Sequence, residues 1–416
     1  MKRFSLFLFL AMTLLFVSAC TNSAINTSKN ESGGSKNSSE KVTIKIGMSS
    51  VLTGPYSEYG QGNKRGVELA IEKWNENGGI NGKKIEFEVL DDQLSPDTAT
   101  TNIQKLLADP EIVAIIGPSG SDVALATAPI TEAKGMVHMN TGPQTIEITY
   151  PNGVDKSPRK NVFSFAIQNN VEANVLGEFA GEKWKKIGII HESTSYGKSG
   201  GDLISEILEK DFSIKPVARE QYNQKVADMT SQLLKLKNAG AEVVIGMGIG
   251  ADLANIKKGM DRIGFDVPIL VNNAALSLPY VDGAGDLVIG TIGSMIGVLG
   301  HDPLSPEAKE FADAYKAKYG VDKFWGNDEN KPQLFMSLNV ANAYDAANVL
   351  FEAIKNADST KSEDIIKSLE SINNYKGVNA NYNFSEQKHY AVSEDALGFF
   401  EYVKEGDEIK LVPYKK

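Results

Sequence analysis

Residues 111–135 read EIVAIIGPSGSDVALATAPITEAKG. An apolar, β-branched run, Ile112–Ile116, meets a Gly117-Pro118-Ser119-Gly120 turn, and an Ala/Thr-rich helical stretch begins at Ser121. A run of strand length without polar alternation is the pattern of a strand buried on both faces, which a parallel sheet covered by helices provides. The unit repeats outward. VTIKIGMSSV (42–51) precedes KRGVELAIEKWNENGG (64–79), and IEFEVLDD (85–92) precedes DTATTNIQKLLAD (97–109). It restarts at KKIGIIHES (185–193) with GGDLISEILEKD, then KPVAREQY (215–222) with MTSQLLKLKNAG, AEVVIGMGI (241–249) with ADLANIKKGMDRIG, and VPILVNNA (267–274). PEAKEFADAYKAKYG (306–320) and SLNVANAYDAANVLFEAIKNA (337–357) add helical cover, and the chain ends in strand-like pieces around LGFFEYVKEGDEIKLV (397–412). Two βα sets predict an α/β protein with two lobes and a crevice at the carboxyl ends of their strands, where ligands of open α/β sheets sit.

The quoted turn delivers Ser119, Gly120 and Ser121 to the first turn of a helix. Its unpaired N–H groups and dipole favour an acceptor or anion there, and small residues let a ligand approach the backbone. A Ser/Asp helix cap without a ligand is the alternative reading. The turn is neither a phosphate-binding Gly-Lys-Ser/Thr loop nor a dinucleotide GxGxxG turn. Ser121 stands where a nucleophile elbow needs its second glycine. The four histidines, at 138, 191, 301 and 389, are scattered without metal-ligand spacing and read as structural or surface residues, so no metal and no cofactor is expected. Tyr56, Tyr59 and Tyr196 occupy turns at strand ends, where a half-polar ring suits closing over a small ligand; ordinary surface tyrosines are the alternative.

The first stretch, MKRFSLFLFLAMTLLFVSAC, has Lys2 and Arg3, a short apolar run and a small-residue end, the features of a secretory signal. Val17-Ser18-Ala19-Cys20 resembles a bacterial lipobox, and Cys20 is the only cysteine of the chain, which rules out an internal disulfide. Residues 1–19 are therefore expected as signal and 20–41 as lipid anchor and flexible tether, the latter being Asn/Ser/Gly/Lys-rich. Removing Lys2 and Arg3 takes the formal charge from −10 to −12, which argues against a nucleic-acid partner.

From residue 52 the chain resembles a known family. LTGPYSEYGQGNKRGVELAIEKWNENGGINGKKIEFEVLDDQLSP (52–96), AIIGPSGS, IGIIHESTSYGKSGGDL, LLKLKNAGAEVVIGMG and NAYDAANVL look like the type I periplasmic solute-binding proteins of branched-chain amino acid ABC importers. The resemblance implies two Rossmann-like lobes joined by three crossover segments, near 163–167, 290–297 and 373–385. The first lobe is expected over 42–165 plus 295–375 and the second over 166–294 plus 376–416, with the ligand trapped between them by hinge closure.

By the same resemblance, Ser121 falls on the serine that takes the ligand carboxylate, and Tyr59 and Tyr196 fall on the aromatic residue of the first lobe and the tyrosine of the second. Gly142 and Gln144 replace an Ala-x-Thr segment that holds the amino acid head. Asn273 stands where the family has an acid facing the ligand ammonium, and Ile249 replaces a second tyrosine. An enclosed ammonium without a carboxylate is costly. That leaves open an amine-free carboxylate, an amide or urea, or an amino acid held by another acid such as Asp122 or Asp302, with Trp325 a further aromatic near the cleft. The expected protein is a lipid-anchored monomer outside the cytoplasmic membrane that delivers a small polar solute to an ABC permease and breaks no bond. A sensory receptor of the same fold is the alternative. A hydrolase lacks an assembled nucleophile, base and oxyanion set, and the export signal and acidity exclude a transcription factor.

Overall fold

The computed structural model describes residues 43–296, 305–320 and 337–414. Cys20, His301, Asp302 and Trp325, with the signal and tether, lie outside the described residues. Among those described, no helix is long and apolar enough to cross a membrane.

The first sheet is built from β1 (Thr43–Ser50), β2 (Lys84–Asp91), β3 (Ile112–Ile116), β4 (Val137–Asn140) and β5 (Val162–Ser164). Its helices are α1 (Ser57–Glu76), α2 (Pro96–Ala108) and α3 (Ser121–Ala133). The strands run parallel in the order β2-β1-β3-β4-β5. All five residues of central β3 are buried, as its unbroken apolar sequence requires. Helix α2 starts where Ser95 Oγ accepts from Thr98 N at 3.3 Å with Pro96 in the first turn, a normal N-terminal signal.

The chain then leaves through 165–168 into α4 (Asn169–Lys183) and the second set: β6 (Ile187–Glu192), α5 (Ser195–Phe212), β7 (Ala218–Tyr222), α6 (Thr230–Asn238), β8 (Val243–Met247), α7 (Gly250–Arg262), β9 (Ile269–Val271), α8 (Leu278–Ala284) and β10 (Thr291–Ile296). Next come α9 (Pro306–Tyr319), α10 (Ser337–Ala357), α11 (Ser362–Glu370), the small pair β11 (Tyr375–Lys376) and β12 (Asn381–Tyr382), and a terminal hairpin, β13 (Leu397–Glu405) and β14 (Glu408–Pro413). The second sheet has the order β14-β13-β10-β9-β8-β6-β7. It is parallel from β7 to β10 and antiparallel through the hairpin, which covers the β10 edge. Phe399 of β13 stacks on Phe179 of α4 at 4.1 Å.

Helices α9 and α10 return to the first lobe. Arg65 Nη1 of α1 donates to Tyr315 Oη at 2.8 Å, and Trp74 Nε1 donates to Asn348 Oδ1 at 2.9 Å. Residues 375–391 follow them, which differs from the expected third crossover at 373–385. Asp345 of α10 accepts from the backbone N–H of Val378 and Asn379 and from Tyr382 Oη, at 2.8, 2.9 and 2.7 Å. Phe384 packs edge-on against Phe163 at 5.4 Å, and Ser164 pairs with Tyr390. The buried carboxylate and aromatic cluster hold this stretch on the first sheet, so the chain passes to the second sheet between 391 and 397.

Candidate functional site

The carboxyl ends of both parallel sheets face a common cavity of about 170 Å³. From the first lobe come Val51 after β1, Ser119 to Val123 after β3, Gly142 to Gln144 after β4, and Tyr56, Tyr59 and Asn63 around the start of α1. From the second come Glu192 and Thr194 at the end of β6, Gln224 after β7, Gly248 and Ile249 after β8, and Asn272 to Ala274 after β9. Strand ends and helix starts dominate the wall because each βα turn places its few exposed groups there.

Tyr59, Ser119, Ser121, Gly142, Gln144, Tyr196 and Asn273 all line this one cavity, as do Ile249 and Asp122. Gly117 opens the loop at φ +104, a conformation that L side chains rarely adopt. Its carbonyl accepts a hydrogen bond of 2.6 Å from His138 Nε2, whose Nδ1 meets Thr131 Oγ1 at 3.1 Å. Burial pushes His138 down to about 4, so it is a neutral strut behind the loop. Gly120 caps α3 without any side-chain bond, which leaves the first-turn N–H groups beside the cavity. Ser119 Oγ lies 2.5 Å from Ser50 Oγ and accepts from Asn63 Nδ2 at 3.2 Å. Ser121 Oγ accepts from the backbone N–H of Gln144 at 3.3 Å.

Two of the contacts that span the cleft are side-chain hydrogen bonds of predicted site residues. Gln144 Nε2 donates to Asn273 Oδ1 at 3.1 Å. Asp122 Oδ1, on α3, accepts from Ser195 N at 3.1 Å and from Ser195 Oγ at 2.5 Å. The N-cap residue of α5, Thr194, makes no side-chain cap of its own, so Asp122 caps α5 from the opposite lobe.

Behind the wall, fully buried Glu172 of α4 collects three donors: Asn273 N at 2.9 Å, Ser294 Oγ at 2.8 Å and Tyr196 Oη at 2.8 Å. Burial raises its carboxyl and the three donors oppose that rise. It fixes two wall residues without touching the cavity. Asn272, itself in the wall, braces Gly248, donating to its carbonyl at 3.0 Å and accepting from its N–H at 3.1 Å.

The cavity also has acids that sequence reading missed, Glu192 in its wall and Asp252 close by. Glu192 is 2% exposed, and burial pushes it up to about 7. Asp252, in the first turn of α7, is raised to about 6 by burial and lies beside the Tyr56 phenol. Glu192 ends the HES stretch of its strand, a strand-end position that could have marked it. Several buried atoms of the wall have no hydrogen-bond partner among the described residues: Tyr59 Oη, Asn63 Oδ1, Gln144 Oε1 and Asn273 Nδ2. Unsatisfied polar atoms grouped on one cavity are the mark of a surface that bonds something else. Among the described residues, no group of three or more His, Cys, Asp or Glu side chains could hold a metal ion.

Residues 43–406 match the family model described as periplasmic binding protein. A leucine-, isoleucine-, valine-, threonine- and alanine-binding protein of Pseudomonas aeruginosa is 25% identical over 347 residues, 83% of this chain and 86% of that one. A Leu/Ile/Val-binding protein homolog of Brucella suis is 27% identical over 319 residues, 74% and 79% of the two chains. A type 1 periplasmic binding protein of Bordetella pertussis is 50% identical with a TM-score of 0.87, covering 89% of this chain and all of its own. The isoleucine complex of a branched-chain amino acid transporter substrate-binding protein of Streptococcus pneumoniae shares the fold at 21% identity, with a TM-score of 0.74 over 90% of this chain and all of its own.

Proposed function

Because the chain belongs to the type I periplasmic binding proteins of branched-chain amino acid ABC transporters, we propose that it is the extracytoplasmic solute-binding component of an ABC importer. It captures one small polar solute, an amino acid, carboxylate or amide, by closure of its lobes, and presents the closed form to a membrane permease. The protein is a monomer anchored by a lipid on Cys20, and it releases its solute unchanged.

The observation that carries this reading is the cavity at the carboxyl ends of both sheets, with polar atoms on both walls that are unpartnered among the described residues and hydrogen bonds across its mouth. In this reading the α3 start, with Ser119, Ser121 and the Gly142 carbonyl, receives the solute's polar head. Tyr59 and Tyr196 flank it, and Gln144 and Asn273 close over it. The lobes hinge at the passages near 165–168 and between 391 and 397, the remaining one lying outside the described residues.

Thermal unfolding of the compact unit Lys41–Lys416 against amino acids, amine-free carboxylates, amides and ureas tests the proposal. A true solute at about a hundred times its Kd stabilises the folded state by about 2.7 kcal/mol. Failure of every compound in a broad metabolite panel to stabilise it would sink the reading.

A further inference from the structure

Glu192 is a buried carboxyl in the cavity wall that makes no ion pair among the described residues. Each of its oxygens has one neutral donor: Thr194 Oγ1 on Oε1 at 2.5 Å and Gln224 Nε2 on Oε2 at 3.0 Å. A carboxylate has roughly four acceptor positions, so both oxygens retain capacity. Among the described residues its surroundings add no compensating charge. The Asp252 and Asp122 carboxylates both push Glu192 further up. The nearby cation, Lys225, has its ammonium 5.4 Å from the centre of the Tyr56 ring, and its charge acts on Asp252.

Phenols lie nearby: Tyr59 and Tyr196 line the same cavity, and the Glu192 charge raises both of them and Tyr222. The Tyr222 hydroxyl, on a side chain 2% exposed, has no partner among the described residues. It points at the wall residue Gly248, where a Cβ would lie 1.9 Å from it. A buried, unpaired carboxyl among phenol rings is costly alone and is relieved by a positive charge, which ring faces also favour.

Resting on the reading of this cavity as a solute site, we propose that the solute carries a cationic nitrogen group, an ammonium, amidinium or guanidinium, and that Glu192 pairs with it and selects for it over the neutral or anionic analogue. The acid that Asn273 lacks is thereby supplied from the end of β6, on a different strand.

The test uses calorimetric titration of the full chain with matched probes: leucine against 4-methylpentanoate, and 4-guanidinobutanoate against 4-ureidobutanoate, alongside the hits of the metabolite panel. The hits should carry a cationic nitrogen, and the cationic member of a pair should bind about 30-fold tighter or more. Glu192→Gln should reduce that preference to threefold or less. A second readout needs no variant. Burial in the closed cavity raises the Glu192 carboxyl, so closure over a solute that brings no positive charge should take up protons near pH 7, and closure over a cationic one should not. Affinity for the neutral or anionic member of a pair should then fall as pH rises toward 7, while that of the cationic member should not. Tight binding of amine-free carboxylates or neutral amides, with the cationic members no better, would overturn this proposal and leave the receptor reading standing. Silence across the whole panel would instead remove the receptor reading, and this proposal with it.

Discussion

Asp122→Ala separates the closed form from the stability of the lobes themselves. Asp122 sits on α3 of the first lobe, yet its Oδ1 accepts the backbone N–H and hydroxyl of Ser195 at the start of α5 in the second. It is exposed, so its charge is screened and counts for little. What remains is the cap. Loss of a helix N-cap costs about 1 kcal/mol, and because α5 has no cap of its own when the lobes part, the whole of that loss falls on closure. Calorimetric titration should therefore show solute binding weakened about fivefold, chiefly through faster dissociation, while unfolding of the protein without solute is unchanged. Ser195→Ala should overlap with it, the double variant falling short of the sum of the singles. An unchanged Kd, or a loss of stability with Kd untouched, would refute the assignment of this contact as a latch.

Three further expectations concern the framework. His138→Gln should destabilise the protein at pH 7, but less so as pH falls. The wild-type imidazole is held at about 4 against 6.5 unfolded, so its contribution is present above 6.5 and is lost progressively down to 4, about 3 kcal/mol over that window; urea melts of both proteins at several pH values would expose a pH-independent gap if this is wrong. Glu172→Gln leaves one acceptor oxygen for three donors and should cost about 1–3 kcal/mol in denaturant melts, with weakened solute binding because Tyr196 and Asn273 lose their support. An unaltered midpoint would show that the three donors find other partners. Asp345→Ala orphans two backbone N–H groups and the Tyr382 hydroxyl, and should raise hydrogen exchange at Val378 and Asn379 above that of β3; equal protection in variant and wild type would count against it.

Much of the cavity could be read along the chain because βα turns put their functional groups at predictable places. The loop from Gly117 to Ser121 declares a helix start from its residue types alone, and Tyr59, Gly142, Gln144, Tyr196 and Asn273 follow from family motifs onto the same wall. The acids were harder. Glu192 and Asp252 look like ordinary strand-end and helix-start residues until burial on all sides shifts their protonation. Glu172 sits in mid-helix with no motif, and only the convergence of Tyr196, Asn273 and Ser294 gives it a role. The path of 375–391 was likewise not legible, since a short β pair has no periodicity to reveal which sheet its aromatics will meet.

By itself the sequence determined the alternation of buried parallel strands and covering helices, because apolar periodicity and turn residues act over a few positions and need no partner. Tertiary structure alone decided which distant groups share a boundary: that Asp122 caps a helix of the other lobe, that Gln144 meets Asn273, and that Glu192 is buried in the cavity wall without a counter-charge among the described residues. Those depend on desolvation and on distances across the cleft, quantities that exist only once the two sheets face one another.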